Sequence, residues 1–135
     1  MKRMLYLAPA LAIVAVVALR AGATREDEKP ASPGQIAHMV YFKLKDASHA
    51  NRQKLVDACK KYLDRHVGTV YFSAGVIGDE FKSKFNDRDW DVALHLVFKD
   101  KVAHDKFRDH PRRKQFIEEN KDNWAKVRVF DAVVQ

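Results

Sequence analysis

The residues best equipped for chemistry are six histidines, one cysteine and two aspartates that stand among apolar neighbours. The histidines are His38, His49, His66, His95, His104 and His110. Neutral imidazole is a metal ligand, and a His pair four residues apart, or a His-Glu-x-x-His pattern, would put two ligands on one helix face. Neither spacing occurs, so the histidines imply no metal site and no cofactor. His38 and His95 fall on opposite alternation faces of their segments and are not expected to converge. For His38 two roles stay open, a hydrogen-bonded structural histidine and a pocket ligand. His110 precedes Pro111 and reads as a residue that caps or orients a helix break rather than as a catalyst. Cys59 lies on an apolar helical stripe, where an inert buried thiol is the default. Asp91 and Asp131 are expected to partner Arg88 or Arg128 structurally rather than to act as paired acids. Neither a glycine-rich phosphate loop nor a Ser-His-Asp signature is present.

The elements that must position these side chains alternate between two periods from Gln35 onward. Ala37 to Lys45 has period two, with His38, Val40, Phe42 and Leu44 on one face and Met39, Tyr41, Lys43 and Lys45 on the other, which predicts a strand. Asp46-Ala47-Ser48 offers caps for a helix whose stripe is Leu55, Cys59, Tyr62, Leu63 and His66, with Gly68 placed to end it. Thr69 to Val76 is strand-like, with Val70, Phe72, Ala74 and Val76 sharing a face, and Lys82 to Asp89 is polar turn material. Trp90 to Phe98 predicts a third strand, with Val92, Leu94, Leu96 and Phe98 opposite Ala93, His95 and Val97. Asp100 caps a second helical region carrying Ala103 and Phe107. That region breaks at His110-Pro111 and resumes with Phe116, Ile117, Asn120 and Trp124, Pro111 taking the first turn. Val127 to Val134 is the last strand. The order βαββαβ is similar to a ferredoxin-like split βαβ unit, an α+β fold with a four-stranded antiparallel sheet and helices on one face.

Two helical regions cover only one face of such a sheet. The other face, holding Met39, Tyr41, Ala93, His95 and Val97, would be left as an exposed apolar patch. A second copy packing sheet against sheet would bury it in an isologous homodimer. A monomer with a half-polar open face is the alternative, since Lys43, Lys45 and His95 also lie there.

The chain has 135 residues, 47% hydrophobic and 32% charged, enough for one modest domain. One cysteine excludes a disulfide scaffold and a Cys-cluster zinc site within the chain. Lys2 and Arg3 precede an apolar run from Met4 to Leu19, interrupted by Pro9, and Ala21-Gly22-Ala23 offers small residues for a signal peptidase. The run is 16 residues, short of the roughly 20 that span a bilayer as a helix. Residues 1–23 are therefore expected to be a cleaved signal peptide, with an uncleaved membrane anchor as the alternative. In either case the domain is expected outside the cytoplasm, periplasmic or secreted. Residues 24–34 read as a linker, and 35–135 as the domain.

The formal charge of +7 invites a nucleic-acid reading. Beyond residue 23 it falls to +4, from 22 Lys and Arg against 18 Asp and Glu, spread through mixed-sign stretches. No basic–aromatic stripe is present, so these charges read as a solvated face and no nucleic acid partner is expected.

Four segments carry a family resemblance. His38 to Lys45 (HMVYFKLK) resembles the opening strand of the stress-responsive A/B barrel (Dabb) family, and Trp90 to Phe98 (WDVALHLVF) its third strand. His104 to Phe116, around His110-Pro111, is similar to its helix break, and Val127 to Asp131 (VRVFD) to its closing strand. The resemblance covers Gln35 to Gln135 and implies a dimeric α+β barrel with a pocket between sheet and helices under the first strand. On this chain that pocket would take in His38, Val40, Phe42, Phe107, His110, Arg113, Phe116 and Trp124. The family's plant polyketide cyclases use a tyrosine and a histidine flanking the His-Pro motif, and those positions fall on Phe107 and Arg113. Phe107 has no hydroxyl, and Arg113 stays protonated where a general base must be neutral. The first-strand histidine of those enzymes is matched by His38.

Two function classes follow. One is an exported homodimeric module, binding a small apolar or aromatic molecule or associated with stress, without catalysis. The other is an enzyme of the polyketide-cyclase-like or cofactor-free oxygenase kind that uses His38. The departures at Phe107 and Arg113 favour the first.

Overall fold

A computed structural model describes residues 34–135. The expected export segment, and all of the expected linker but Gly34, lie outside the described residues. The chain runs β1 (Ile36–Leu44), α1 (His49–Leu63), β2 (Thr69–Val76), β3 (Val92–Phe98), α2 (Lys101–Arg108), α3 (Pro111–Asn120), a 3-10 turn (Lys121–Asn123) and β4 (Trp124–Val133). The strands form one sheet in the order β2-β3-β1-β4, every pair antiparallel. This is the expected ferredoxin-like α+β architecture, with the second helical region in two pieces.

Local chemistry accounts for the boundaries. In β1 the odd and even positions differ in burial as period two requires: Ile36, His38, Val40, Phe42 and Leu44 are buried, and the residues between them are half-buried. The Ser48 hydroxyl accepts from the Asn51 N–H at the start of α1, and the Asp100 carboxylate accepts from the Ala103 N–H, 2.8 Å away, at the start of α2. Pro111 opens α3, while the His110 ring accepts from the Arg112 N–H at 3.1 Å. The helix break is therefore capped by its own histidine. Phe98, Leu94, Leu96, Cys59 and Leu63 fill the space between sheet and helices. Burial pushes the Cys59 thiol up to about 12, so it stays protonated and inert.

Three local expectations are corrected. Gly68 does not end α1, which stops at Leu63, with Asp64 extended and Arg65 in the left-handed region at φ 58°. Gly68 is needed instead for close approach, because a Cβ there would lie 2.4 Å from that of Ala103. In β2 a register shift between Thr69 and Tyr71 throws Val70 outward, so only Phe72 and Ala74 of the expected row pack against the core. Trp124 opens β4 instead of ending a helix. Its ring still reaches the core, 5.1 Å from Phe42 and 5.8 Å from Phe116 between centroids.

His66 follows the end of α1 and folds back, its Nε2 2.9 Å from the Tyr62 carbonyl, which only a protonated Nε2 can satisfy. Burial holds its pKa below the ordinary histidine value; Arg112 and His110 push the same way, against the Tyr62 carbonyl and Asp64. The unfolded chain therefore takes up a proton more readily than the folded one. Stability is full above the unfolded value of about 6.5 and falls as pH drops below it. Urea unfolding at pH 7.5 and pH 5.5 is expected to show lower stability at the acidic pH, with a smaller drop in His66→Gln.

Candidate functional site

The helix-facing side of β1, together with α2, α3 and the edge strand β4, encloses a cavity of about 80 Å3. Seven of the eight residues expected around a pocket line it: His38, Val40, Phe42, Phe107, Arg113, Phe116 and Trp124. His110 does not. It is committed to capping α3, and its ring meets that of His66 edge to face at 4.6 Å, away from this cavity. Val127 and Val129, partly exposed on β4, bound the open side. The walls are thus mostly apolar, with His38 and Arg113 as the polar groups. Burial pulls the Arg113 pKa below its ordinary value, with Arg108 acting in the same direction.

His38 is 5% exposed, and its partner comes from the sheet itself. It lies directly opposite Asp131 across the β1–β4 pairing, so both side chains point to the helix side. His38 Nδ1 lies 2.5 Å from Asp131 Oδ1. An ionised carboxylate only accepts, so Nδ1 donates, leaving Nε2 as the acceptor of the neutral ring. Burial lowers the His38 pKa more than the Asp131 hydrogen bond and charge raise it, and His104 and Arg113 add to the lowering. A neutral imidazole with a carboxylate behind it, lining an apolar cavity, can accept a hydrogen bond or a proton.

His104 on α2 completes a cluster. It is 8% exposed, and its Nε2 lies 3.6 Å from the same Asp131 oxygen, beyond hydrogen-bond reach. That nitrogen is buried without a partner among the described residues. Donor atoms of His38, His104 and Asp131 all lie within 4.8 Å of one another. Phe107 and Phe98 pack against the His38 ring at 5.7 and 6.5 Å, and Phe98 lies 5.5 Å from His104.

Sequence spacing missed this cluster because β1, α2 and β4 each supply one member. The lack of a local ligand motif therefore does not exclude convergence of metal-ligating groups. The available signals were the 104-to-107 helical step onto Phe107 and the pairing of the first strand with the last. The expected aspartate partners are also corrected. Asp131 serves His38, whereas Arg128 reaches Asp87 at 2.5 Å. Asp91, 2% exposed, accepts from the Leu44 N–H at 2.8 Å and from Arg52 at 3.2 Å. Arg88 instead donates to the Gly78 and Phe81 carbonyls.

On the opposite side of the sheet lie Met39, Tyr41, Ala93, His95 and Val97. Tyr71 and Phe130 join them as pairing partners of Val97 and Met39, and both are about half exposed. The polar members are accommodated: His95 Nε2 lies 3.2 Å from the Tyr41 hydroxyl, and Lys43 Nζ lies 3.8 Å from Asp91. The β2–β3 loop covers one end of this face, with Trp90 5.3 Å from the Tyr41 ring and Asp89 paired to Lys126.

Sheet order, helix placement and the cavity beneath β1 define a ferredoxin-like α+β protein. The chain belongs to the stress responsive A/B barrel domain family, whose model matches residues 36–134. It is similar to a Dabb family protein with a ferredoxin-like fold from Mesorhizobium loti, at 26% identity, covering 76% of this chain and 98% of that one, with a TM-score of 0.63. The fold is shared with a dimeric ferredoxin-like protein from Thermobifida fusca (12% identity, 76% and 93% covered, TM-score 0.62). It is shared too with a hydroxynitrile lyase from Passiflora edulis (15% identity, 77% and 96% covered, TM-score 0.62). No curated protein matches the chain by sequence.

The two aspartates should respond differently to truncation. Asp91→Ala strips a core N–H and Arg52 of their partner, and is expected to cost about 3 kcal/mol or more. Asp131→Ala leaves the buried His38 Nδ1 unpaired but removes a carboxylate that is itself half exposed, and is expected to cost about 1–2 kcal/mol. Denaturant unfolding of the two variants checks the order.

Proposed function

We propose that this protein is an exported homodimer that binds a small apolar or aromatic molecule in the cavity beneath β1. The observation that carries the reading is the cavity itself: apolar walls from the sheet and from the helices packed on it, with His38 and Arg113 as its polar groups. Its volume of about 80 Å3 is roughly half of the ~150 Å3 that accommodates benzene in a protein core. It therefore takes one end of a ligand whose remainder leaves past Val127 and Val129. His38 Nε2 supplies an acceptor for a hydroxyl on that ligand, and Arg113 a charge for an anionic group.

Export is supported by the Lys2-Arg3 start, the apolar run and Ala21-Gly22-Ala23. The homodimer is supported by the apolar outer face of the sheet and by the dimeric state of the Thermobifida fusca protein. A second reading, a proton-transferring enzyme, is favoured by the His38–Asp131 pair, since a carboxylate that orients an imidazole is the arrangement general bases use. Phe107 and Arg113 stand against a cyclase of the plant type, for they supply no hydroxyl and no neutral base.

Titration of phenol and 1-naphthol followed by NMR should give saturable shifts at Val40, Phe42 and Val129. The shifts should vanish in Val129→Trp, which fills the mouth of the cavity, while the fold is retained. Binding without turnover upholds the module. Turnover of a hydroxylated ligand that His38→Gln abolishes would move the assignment to the enzyme. No saturable shift with either probe would contradict the pocket reading.

A further inference from the structure

We propose that His38, His104 and Asp131 form a binding site for a divalent transition-metal ion such as zinc or iron(II). The site goes beyond ligand binding in the cavity and does not depend on it, sharing only His38 with that reading.

The first warrant is the donor set. Two imidazoles and one carboxylate suit zinc and the later first-row ions, whereas calcium and magnesium require oxygen cages. The second is geometry. Ligands 2.0–2.2 Å from a tetrahedral centre stand roughly 3.3 Å apart. The 3.6 Å between His104 Nε2 and Asp131 Oδ1 is already close to that spacing, and so suits a shared ion better than a direct bond. The 2.5 Å between His38 Nδ1 and the same oxygen must open by less than an ångström as the ion takes the place of the Nδ1 proton, and the bound ring stays neutral with its proton on Nε2. All three donors lie within 4.8 Å of one another, so the widest pair has at most about 1.5 Å to close to reach that tetrahedral spacing.

The third warrant is the unsatisfied nitrogen. His104 Nε2 is buried, lies near Asp131 and has no hydrogen-bond partner among the described residues. A buried polar atom left unpaired is costly, and a cation at this point would satisfy it. The surroundings fit a ligand role as well. The other ring nitrogen of His104, Nδ1, faces Asp105 Oδ1 at 3.5 Å, so a carboxylate stands behind the ring although the two are not hydrogen-bonded. Phe98 and Phe107 hold the rings in place. Asp131, whose side chain is 47% exposed, provides the route by which an ion enters and a face where water completes the coordination.

The test uses the full chain purified without a histidine tag. Isothermal titration with zinc should show one ion per chain. His104→Gln and Asp131→Asn should each weaken binding at least about tenfold, since even outer-shell changes commonly cost that much. His95→Gln, on the opposite face of the sheet, should leave it unchanged. Copper(II) loaded into the unmodified chain gives a readout independent of whether the variants fold, because pulsed EPR should detect two coordinated imidazoles. The proposal is overturned if the unmodified chain takes up no stoichiometric zinc, if both variants bind as tightly as it does, or if fewer than two imidazoles appear.

Discussion

Strand β1 lies inside the sheet, paired on both sides, and is apolar on both faces, and the rest of the molecule is arranged around that constraint. Its even-numbered residues face the helices and become the core and the cavity wall; its odd-numbered residues face away and become the outer surface. Because side chains alternate strictly, a slip of one residue would carry His38 to the outer face and Met39 into the core. The register is held from both ends. Asp91, at the start of β3, accepts the Leu44 N–H, and β4 bonds along nearly the whole of β1. That single register fixes the position of His38 against Asp131, and so fixes the site.

A polar cluster this deep requires its own accounting. Burial alone drives His38 toward the neutral form, and Asp131 opposes it with a short hydrogen bond and its charge; burial prevails. Asp131 itself reaches solvent at the sheet edge, so the carboxylate keeps part of its hydration while serving a buried partner. His104 has no comparable arrangement at Nε2. In a core otherwise built from Phe98, Leu94, Leu96 and Leu63, that nitrogen is one of the buried polar atoms left without a partner among the described residues, and function is often placed at such points.

The architecture was legible because most segments state their period without ambiguity: β1 and β3 alternate strictly, and Asp100 and Pro111 mark helix starts. The pocket came from the family resemblance rather than from periodicity, and seven of the eight residues it implied line the cavity. What escaped was long-range or sub-residue in scale. The partner of His38 lies 93 residues away, set by strand register rather than by spacing. His104 had no partner at helical spacing to mark it. The bulge that ejects Val70 and the early end of α1 are decided by tertiary packing, including the tight passage of Gly68 past Ala103. His110 was placed both at a cap and in the pocket; its ring meets the first role and is thereby withdrawn from the second.

The outer face remains the larger consequence of the two-sided strand. Tyr71, Met39, Val97 and Phe130 form an apolar surface with its polar neighbours already paired, so a second copy could cover it without leaving a buried charge alone. At about 25 cal/mol per Å2 of apolar area, the roughly 800 Å2 per subunit of a standard interface is ample driving force. Sedimentation equilibrium of the protein across about 1 to 100 µM measures this directly. The account predicts twice the chain mass through the upper part of that range, and a single chain mass at every concentration would contradict it.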